Sequence, residues 1–210
     1  MAGPAGSVAL PLVDARHALL SRIFDHAPLF PPASMSLPDA LAEDQRAQES
    51  ADAWILGRFV VPVRTEVDGR ELAVVDGGRE RQGETVFVEG LSKVRCGAAA
   101  VPSVEELASF VRRCREQRVV FKATAGLHHA YPTQGEHGFL NLLAAAVFGD
   151  EEEALRASRG SFELDETSFR WGDRTAGADE LARVRETLLH SIGSCSFFEP
   201  VGELHDLGIL

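Results

Sequence analysis

The stretch that most limits what this chain can fold into runs over residues 92–124. Ser92-Lys93-Val94-Arg95-Cys96 has the make-up of a short strand and stops at Gly97. Ser103-Val104-Glu105-Glu106 then matches a capping box, in which a serine and a glutamate satisfy each other's backbone amides at a helix start. Leu107, Phe110, Val111 and Cys114 follow as one apolar stripe at helical spacing. This helix ends near Arg118, and Val119-Val120-Phe121-Lys122-Ala123-Thr124 reads as an apolar strand. Strand, helix, strand in that order favours two parallel strands joined by a right-handed crossover.

A chain of 210 residues suffices for one well-cored domain, and its 45% hydrophobic and 25% charged make-up is ordinary for a globular protein. A net charge of −11 excludes a broad phosphate-backbone footprint, so no nucleic acid partner is expected. Cys96, Cys114 and Cys195 share no close spacing and leave one unpaired, which suits a reducing cytoplasm. Residues 1–13 lack the basic start and long apolar core of a signal peptide. No run approaches the roughly 18–20 apolar residues of a membrane span, so no membrane partner is expected.

Around the parallel unit the pattern gives a single α/β domain over 1–210. It divides into an N-terminal helical segment (14–50), a core (54–148) and a C-terminal helical segment (150–210). Ala15, Ala18, Leu19 and Ile23 space a helix over 14–26, and Ser36 with Pro38 opens a second one to about Ser50. Residues 54–63 are a nearly continuous apolar strand. Asp68-Gly69 is read as a hairpin turn, 77–83 as a flexible connection, and 85–89 as another strand. A helix over 136–148 is apolar nearly all round and should be buried. A short acidic helix at 150–158, a small hairpin around Asp165-Glu166, an amphipathic helix over 178–191 and a docked apolar tail complete the reading. Five or six strands emerge, so the fold expected is a reduced or open TIM-barrel-like sheet with additional helices.

Lys122 is the leading functional candidate, because a charged amine on a Val-Val-Phe-Ala strand is costly unless it is paired or its pKa falls. Side chains alternate along a strand, so Lys122 and Thr124 share one face, as do Lys93 and Arg95. Parallel neighbours would bring all four to the strand ends, where α/β sheets place their sites. Lys93 and Arg95 would grip a carboxylate or phosphate. Lys122 would attack a carbonyl as a free amine, its pKa lowered by burial and by the other cations, or would stabilise charge. His128 follows as a binding residue, and His129 or His137 as the catalytic proton carrier. His137 and Asn141, one helical turn apart, would point into the same space, His137 with its proton disfavoured at the helix start. The structural alternative has His137 capping the helix and Asn141 bonding backbone in the interior. The histidine spacing matches no zinc pattern, so no metal and no cofactor is assigned. Cys195 has no base beside it in sequence and reads as structural.

Phe121-Lys122-Ala123-Thr124-Ala125-Gly126 resembles the Schiff-base strand of deoxyribose-phosphate-type class I aldolases, where a Lys-Thr-x-Thr-Gly run ends a barrel strand. The resemblance implies Lys122 as the imine-forming amine and Gly126 as the tight turn after it. The chain departs from that run at Ala123 and Ala125, and Lys93-Val94-Arg95-Cys96-Gly97 does not copy the family's second lysine strand. Phe30-Pro31-Pro32-Ala33, Leu56-Gly57-Arg58-Phe59, residues 121–129 and His137-Gly138-Phe139-Leu140-Asn141 together resemble a group of bacterial barrel-related α/β proteins of unassigned function, which implies a cytosolic protein and no particular reaction. The expectation is thus a lyase or isomerase of aldolase type, acting on a small anionic carbonyl compound. Its rivals are a non-catalytic binder or assembly subunit, including a homo-oligomer, and a histidine-based metal-dependent hydrolase.

Overall fold

In the computed structural model, which describes residues 14–97, 101–133 and 135–210, the chain opens on helix α1 (Ala15–Leu20), capped by Asp14 accepting from the Arg16 amide at 2.7 Å. The expected absence of a leader in residues 1–13 lies outside the described residues. The helix does not reach His26: Arg22 turns to φ +53° and Phe24–His26 becomes strand β1. Leu19, Leu20, Ile23 and Phe24 are all buried, and so short an apolar run fits either conformation. Helix α2 (Leu37–Glu49) starts as read, with the Ser36 cap and a proline in its first turn.

Strand β2 (Leu56–Pro62) pairs with β3 (Leu72–Asp76) in parallel, Phe59 opposite Leu72 and Pro62 opposite Val75. Asp68-Gly69 therefore sits in a return loop and not in a hairpin. The true hairpins come next. Strand β4 (Arg79–Gln82) pairs antiparallel with β3 and with β5 (Thr85–Val88), so the segment read as a flexible connection holds a strand.

Strand β6 (Lys93–Arg95), helix α3 (Val104–Gln117) and β7 (Phe121–Thr124) form the expected parallel unit, with both halves of the Ser103–Glu106 capping box made. Helix α4 (Phe139–Phe148) is buried from Phe139 through Val147, and α5 (Glu151–Arg156) is the short acidic helix. Strands β8 (Phe162–Leu164), β9 (Ser168–Trp171) and β10 (Arg174–Gly177) make a separate antiparallel sheet, one strand larger than the hairpin expected. Helix α6 (Ala178–Thr187) stops early, Leu189–Ser194 forms β11, and α7 (Phe198–Asp206) docks the tail.

The main sheet has the order β5-β4-β3-β2-β1-β11-β7-β6, and every pair from β3 to β6 through its middle is parallel. A parallel bridge between Glu89 and Lys93 links its two ends, leaving an eight-stranded, nearly closed barrel-like sheet. The α/β class holds, and the five or six strands expected become eight. Two adjacent interior strands, β1 and β11, come from the segments read as N-terminal and C-terminal helices. Arg185, half-buried at the end of α6, donates to the carbonyls of Leu19, Ser21, Leu189 and His190 and so ties the turn before β1 to β11. Burial without a carboxylate in contact lowers its pKa to about 10.

Candidate functional site

A cavity of about 270 Å³ opens where the parallel strands end. Phe30 and Pro31 follow β1, Lys93 and Arg95 lie on β6, Thr124 ends β7, and Cys195 follows β11. This is the carboxyl end of the parallel strands, where open α/β sheets place their sites.

The cavity floor is ionic. Lys122 is fully buried, and its Nζ donates to Asp25 Oδ2 at 2.7 Å and to Glu80 Oε1. Gln82 Nε2 donates to the same two carboxylates, at 2.7 Å to Asp25 and 2.9 Å to Glu80. Asp25 also accepts from Ser191 Oγ at 2.7 Å and from the Arg58 amide at 2.8 Å. Gly57 makes this last contact possible, since a Cβ there would lie 2.5 Å from Asp25 Oδ1. Burial pushes the Asp25 carboxyl up, but Lys122, Ser191 and the Arg58 amide outweigh it and hold the pKa at about 2. Burial likewise opposes the Lys122 charge, and the two carboxylates overcome it, so its pKa is raised. The expectation that Lys122 is a free amine with lowered pKa is therefore corrected. Two carboxylates face it, and the cations in the sequence pattern are not its nearest company.

Lys93 is different. It stands opposite Lys122 in the β6–β7 register, is only 2% exposed and lines the cavity. Among the described residues its amine makes no hydrogen bond and no ion pair. Burial lowers its pKa, outweighing Glu80 and Glu89, which pull the other way. Arg95 also lines the cavity, half exposed, with its Nε 3.7 Å from Glu89 Oε1. Thr124 Oγ1 donates to the Val94 carbonyl at 3.4 Å.

The remaining candidates separate. His128 lines the cavity, with Cys195 Sγ 3.7 Å from its Nε2. His129 turns to a neighbouring pocket, where its Nδ1 meets Glu203 Oε1 at 2.7 Å, a bond that raises its pKa. His137 precedes α4 and its Nε2 donates to the Pro102 carbonyl at 2.8 Å. It neither caps the helix, where Gly138 is the N-cap, nor lines the cavity. Asn141 Nδ2 donates to the carbonyls of Ala154 and Ala157, at 2.7 and 2.9 Å, and is fully buried. His129, His137 and Asn141 thus stand outside the cavity, and Asn141 takes the structural alternative. Among the described residues no group of three or more His, Cys, Asp or Glu is arranged to hold a metal ion.

Sequence reasoning missed Asp25, Glu80, Gln82 and Ser191. Glu80 and Gln82 alternate with Arg79 and Arg81, so β4 is polar on both faces and carries no hydrophobic period. The available signal was at β1, where an acid stands between Phe24 and His26 in an otherwise apolar run. The chain matches no protein-family model, no curated protein and no solved structure.

Proposed function

We propose that the cavity is the active site of an imine-forming lyase or isomerase of aldolase type, acting on a small anionic carbonyl compound. The observation that carries this reading is the pairing of two buried lysines in one ladder, of which only Lys122 is neutralised. Lys122, held charged by Asp25 and Glu80, opposes a second positive charge on Lys93. Lys93 is then the amine that attacks, a role that the resemblance alone gives to Lys122. Its nitrogen bonds to the carbonyl carbon and the carbonyl oxygen leaves as water. Lys122 stays protonated beside the reacting centre, its charge balanced by Asp25 and Glu80, and keeps Lys93 from sharing their proton-holding field. Arg95 takes the substrate's anionic group, and His128, the histidine in the cavity, is the proton carrier.

Borohydride reduction in the presence of small anionic aldehydes and keto acids, followed by peptide mapping, tests this. A covalent label on Lys93 is expected, lost in Lys93→Arg. A label on Lys122 would return the amine to that residue. No label with any compound, together with anion binding that survives Lys93→Arg, would make the cavity a binding site without imine chemistry.

A further inference from the structure

His128 and Cys195 meet on the wall of the same cavity, and the neighbours of the ring favour one position for the imidazole proton. Ser194 Oγ donates to the Ser196 carbonyl at 2.7 Å, so toward His128 Nδ1, 3.3 Å away, it can only accept. Glu199 Oε2 lies 3.3 Å from the same Nδ1, an ion-pair contact without hydrogen-bond geometry. An accepting hydroxyl and a carboxylate beside one ring nitrogen favour the hydrogen on Nδ1 and leave the Nε2 lone pair free. The neighbour of Nε2 is Cys195 Sγ at 3.7 Å. The sulfur is 3.9 Å from Nδ1 as well, so it is not yet in line with Nε2, and contacts of this kind tighten when a substrate is bound. The same cavity holds a buried amine, Lys93, that has no partner among the described residues. A group with nothing to bind, sharing a cavity with a thiol and an imidazole, marks a place for a ligand.

We propose that Cys195, His128 and Glu199 form a second covalent site on this cavity: a thiol nucleophile, its base and the base's orienting carboxylate, adding reversibly to a small anionic aldehyde. The sulfur–carbon bond forms as the carbonyl π bond breaks. The thiol proton passes to Nε2 and from there to the new alkoxide, giving a hemithioacetal with nothing oxidised or reduced. Glu199 stabilises the imidazolium that forms between the two transfers. Arg95 supplies the positive potential that selects an anion. This chemistry goes beyond the imine reading and does not need it, because the thiol and the amine are separate nucleophiles.

The test uses the full chain, iodoacetate as the alkylating probe and glyoxylate as the anionic aldehyde, with carboxymethylation mapped by mass spectrometry. Burial raises the pKa of all three thiols, but Cys96 and Cys114 are buried whereas Cys195 is half-buried on the cavity wall, so the first two serve as internal controls. Cys195 is expected to be the cysteine modified, and His128→Asn to slow the reaction about tenfold or more. Glu199→Gln decides the matter. Removing a nearby negative charge by itself favours the thiolate and attracts iodoacetate, so a merely electrostatic Glu199 predicts faster alkylation. An orienting Glu199 predicts slower alkylation, and its exposed position on α7 keeps the variant folded. Glyoxylate is expected to protect Cys195 in Lys93→Met, where no imine can form on that amine, so this arm is independent of the imine reading. Faster or unchanged alkylation in Glu199→Gln, or no glyoxylate protection in Lys93→Met, would overturn the proposal.

Discussion

Lys93 and Lys122 face each other in register across the β6–β7 ladder, both buried, yet Lys122 has two carboxylates in contact and Lys93 has none among the described residues. Asp25 on β1 and Glu80 on β4 both reach Lys122 across the interior. Two like charges in one ladder then resolve into a fixed cation and an amine whose charge is disfavoured.

A buried amine without a hydrogen-bonding partner costs stability, so its removal should stabilise the fold. Lys93→Met is expected to raise the unfolding free energy by about 0.5–2 kcal/mol at neutral pH. Because the folded pKa is lowered, the charged form carries the cost, and that cost fades as pH rises toward 10.5, the unfolded value. Urea titrations at pH 7 and near pH 10 check this. The gap between variant and parent should be wide at the first and narrow at the second.

Lys122→Met should act in the opposite sense. Asp25 and Glu80 would be left as two buried carboxylates sharing Gln82, and breaking a buried pair by removing one partner typically costs about 3–5 kcal/mol. Adding Asp25→Asn removes one of those charges and should recover part of the loss. Equilibrium unfolding of parent, single and double variants measures both terms. Equal stability of the two variants would mean that the cluster is not held by charge.

How far the residues announced this site depends on what kind of signal each element carries. The unit β6–α3–β7 was legible because its capping box and apolar stripe are local, and it placed Lys93, Arg95, Lys122 and Thr124 correctly on one edge. Strands β1 and β11 were not legible. Phe24-Asp25-His26 is three residues long, and Leu188, Leu189 and Ile192 continue the spacing of the helix before them, so period alone cannot separate helix from strand. Strand β4 is Arg-Glu-Arg-Gln and has no apolar face, because the barrel interior that it lines is itself polar. The lysine partners were lost with those three strands, and with them the direction of the Lys122 pKa. His137 and Asn141 were misplaced for a simpler reason: the helix starts at Phe139, after His137.

Acid should find the cluster as well. The Asp25 carboxyl has a folded pKa of about 2 against an ordinary value of 3.8. A depressed carboxyl contributes stability that is whole above the unfolded value and is lost as pH falls through the folded one. Stability is therefore expected to drop between about pH 4 and pH 2. In Asp25→Asn this part of the acid loss should disappear, at the expense of lower stability at pH 7, where the neutral amide pairs less well with Lys122. Unfolding midpoints across pH 2–7 for both proteins decide it, and parallel curves would remove Asp25 from the acid response.

The spacing between the two lysine strands rests on Gly97 and Gly126, just beyond their ends. A Cβ on Gly97 would come within 2.5 Å of both the amide nitrogen and the Cα of Gly126. Backbone offers no rotamer to relieve such a clash, so Gly97→Ala must push β6 away from β7 at the cavity mouth. The expected cost is about 1–3 kcal/mol of stability, with Lys93 and Arg95 displaced from Lys122 and Thr124. Gly202 gives the contrast: it lies in α7 with nothing within 4 Å of its Cβ position, and Gly202→Ala should gain about 0.5–1 kcal/mol. Measuring the borohydride label alongside stability separates geometry from simple destabilisation. If the cavity depends on strand spacing, Gly97→Ala loses the label while still folded, whereas Gly202→Ala keeps it.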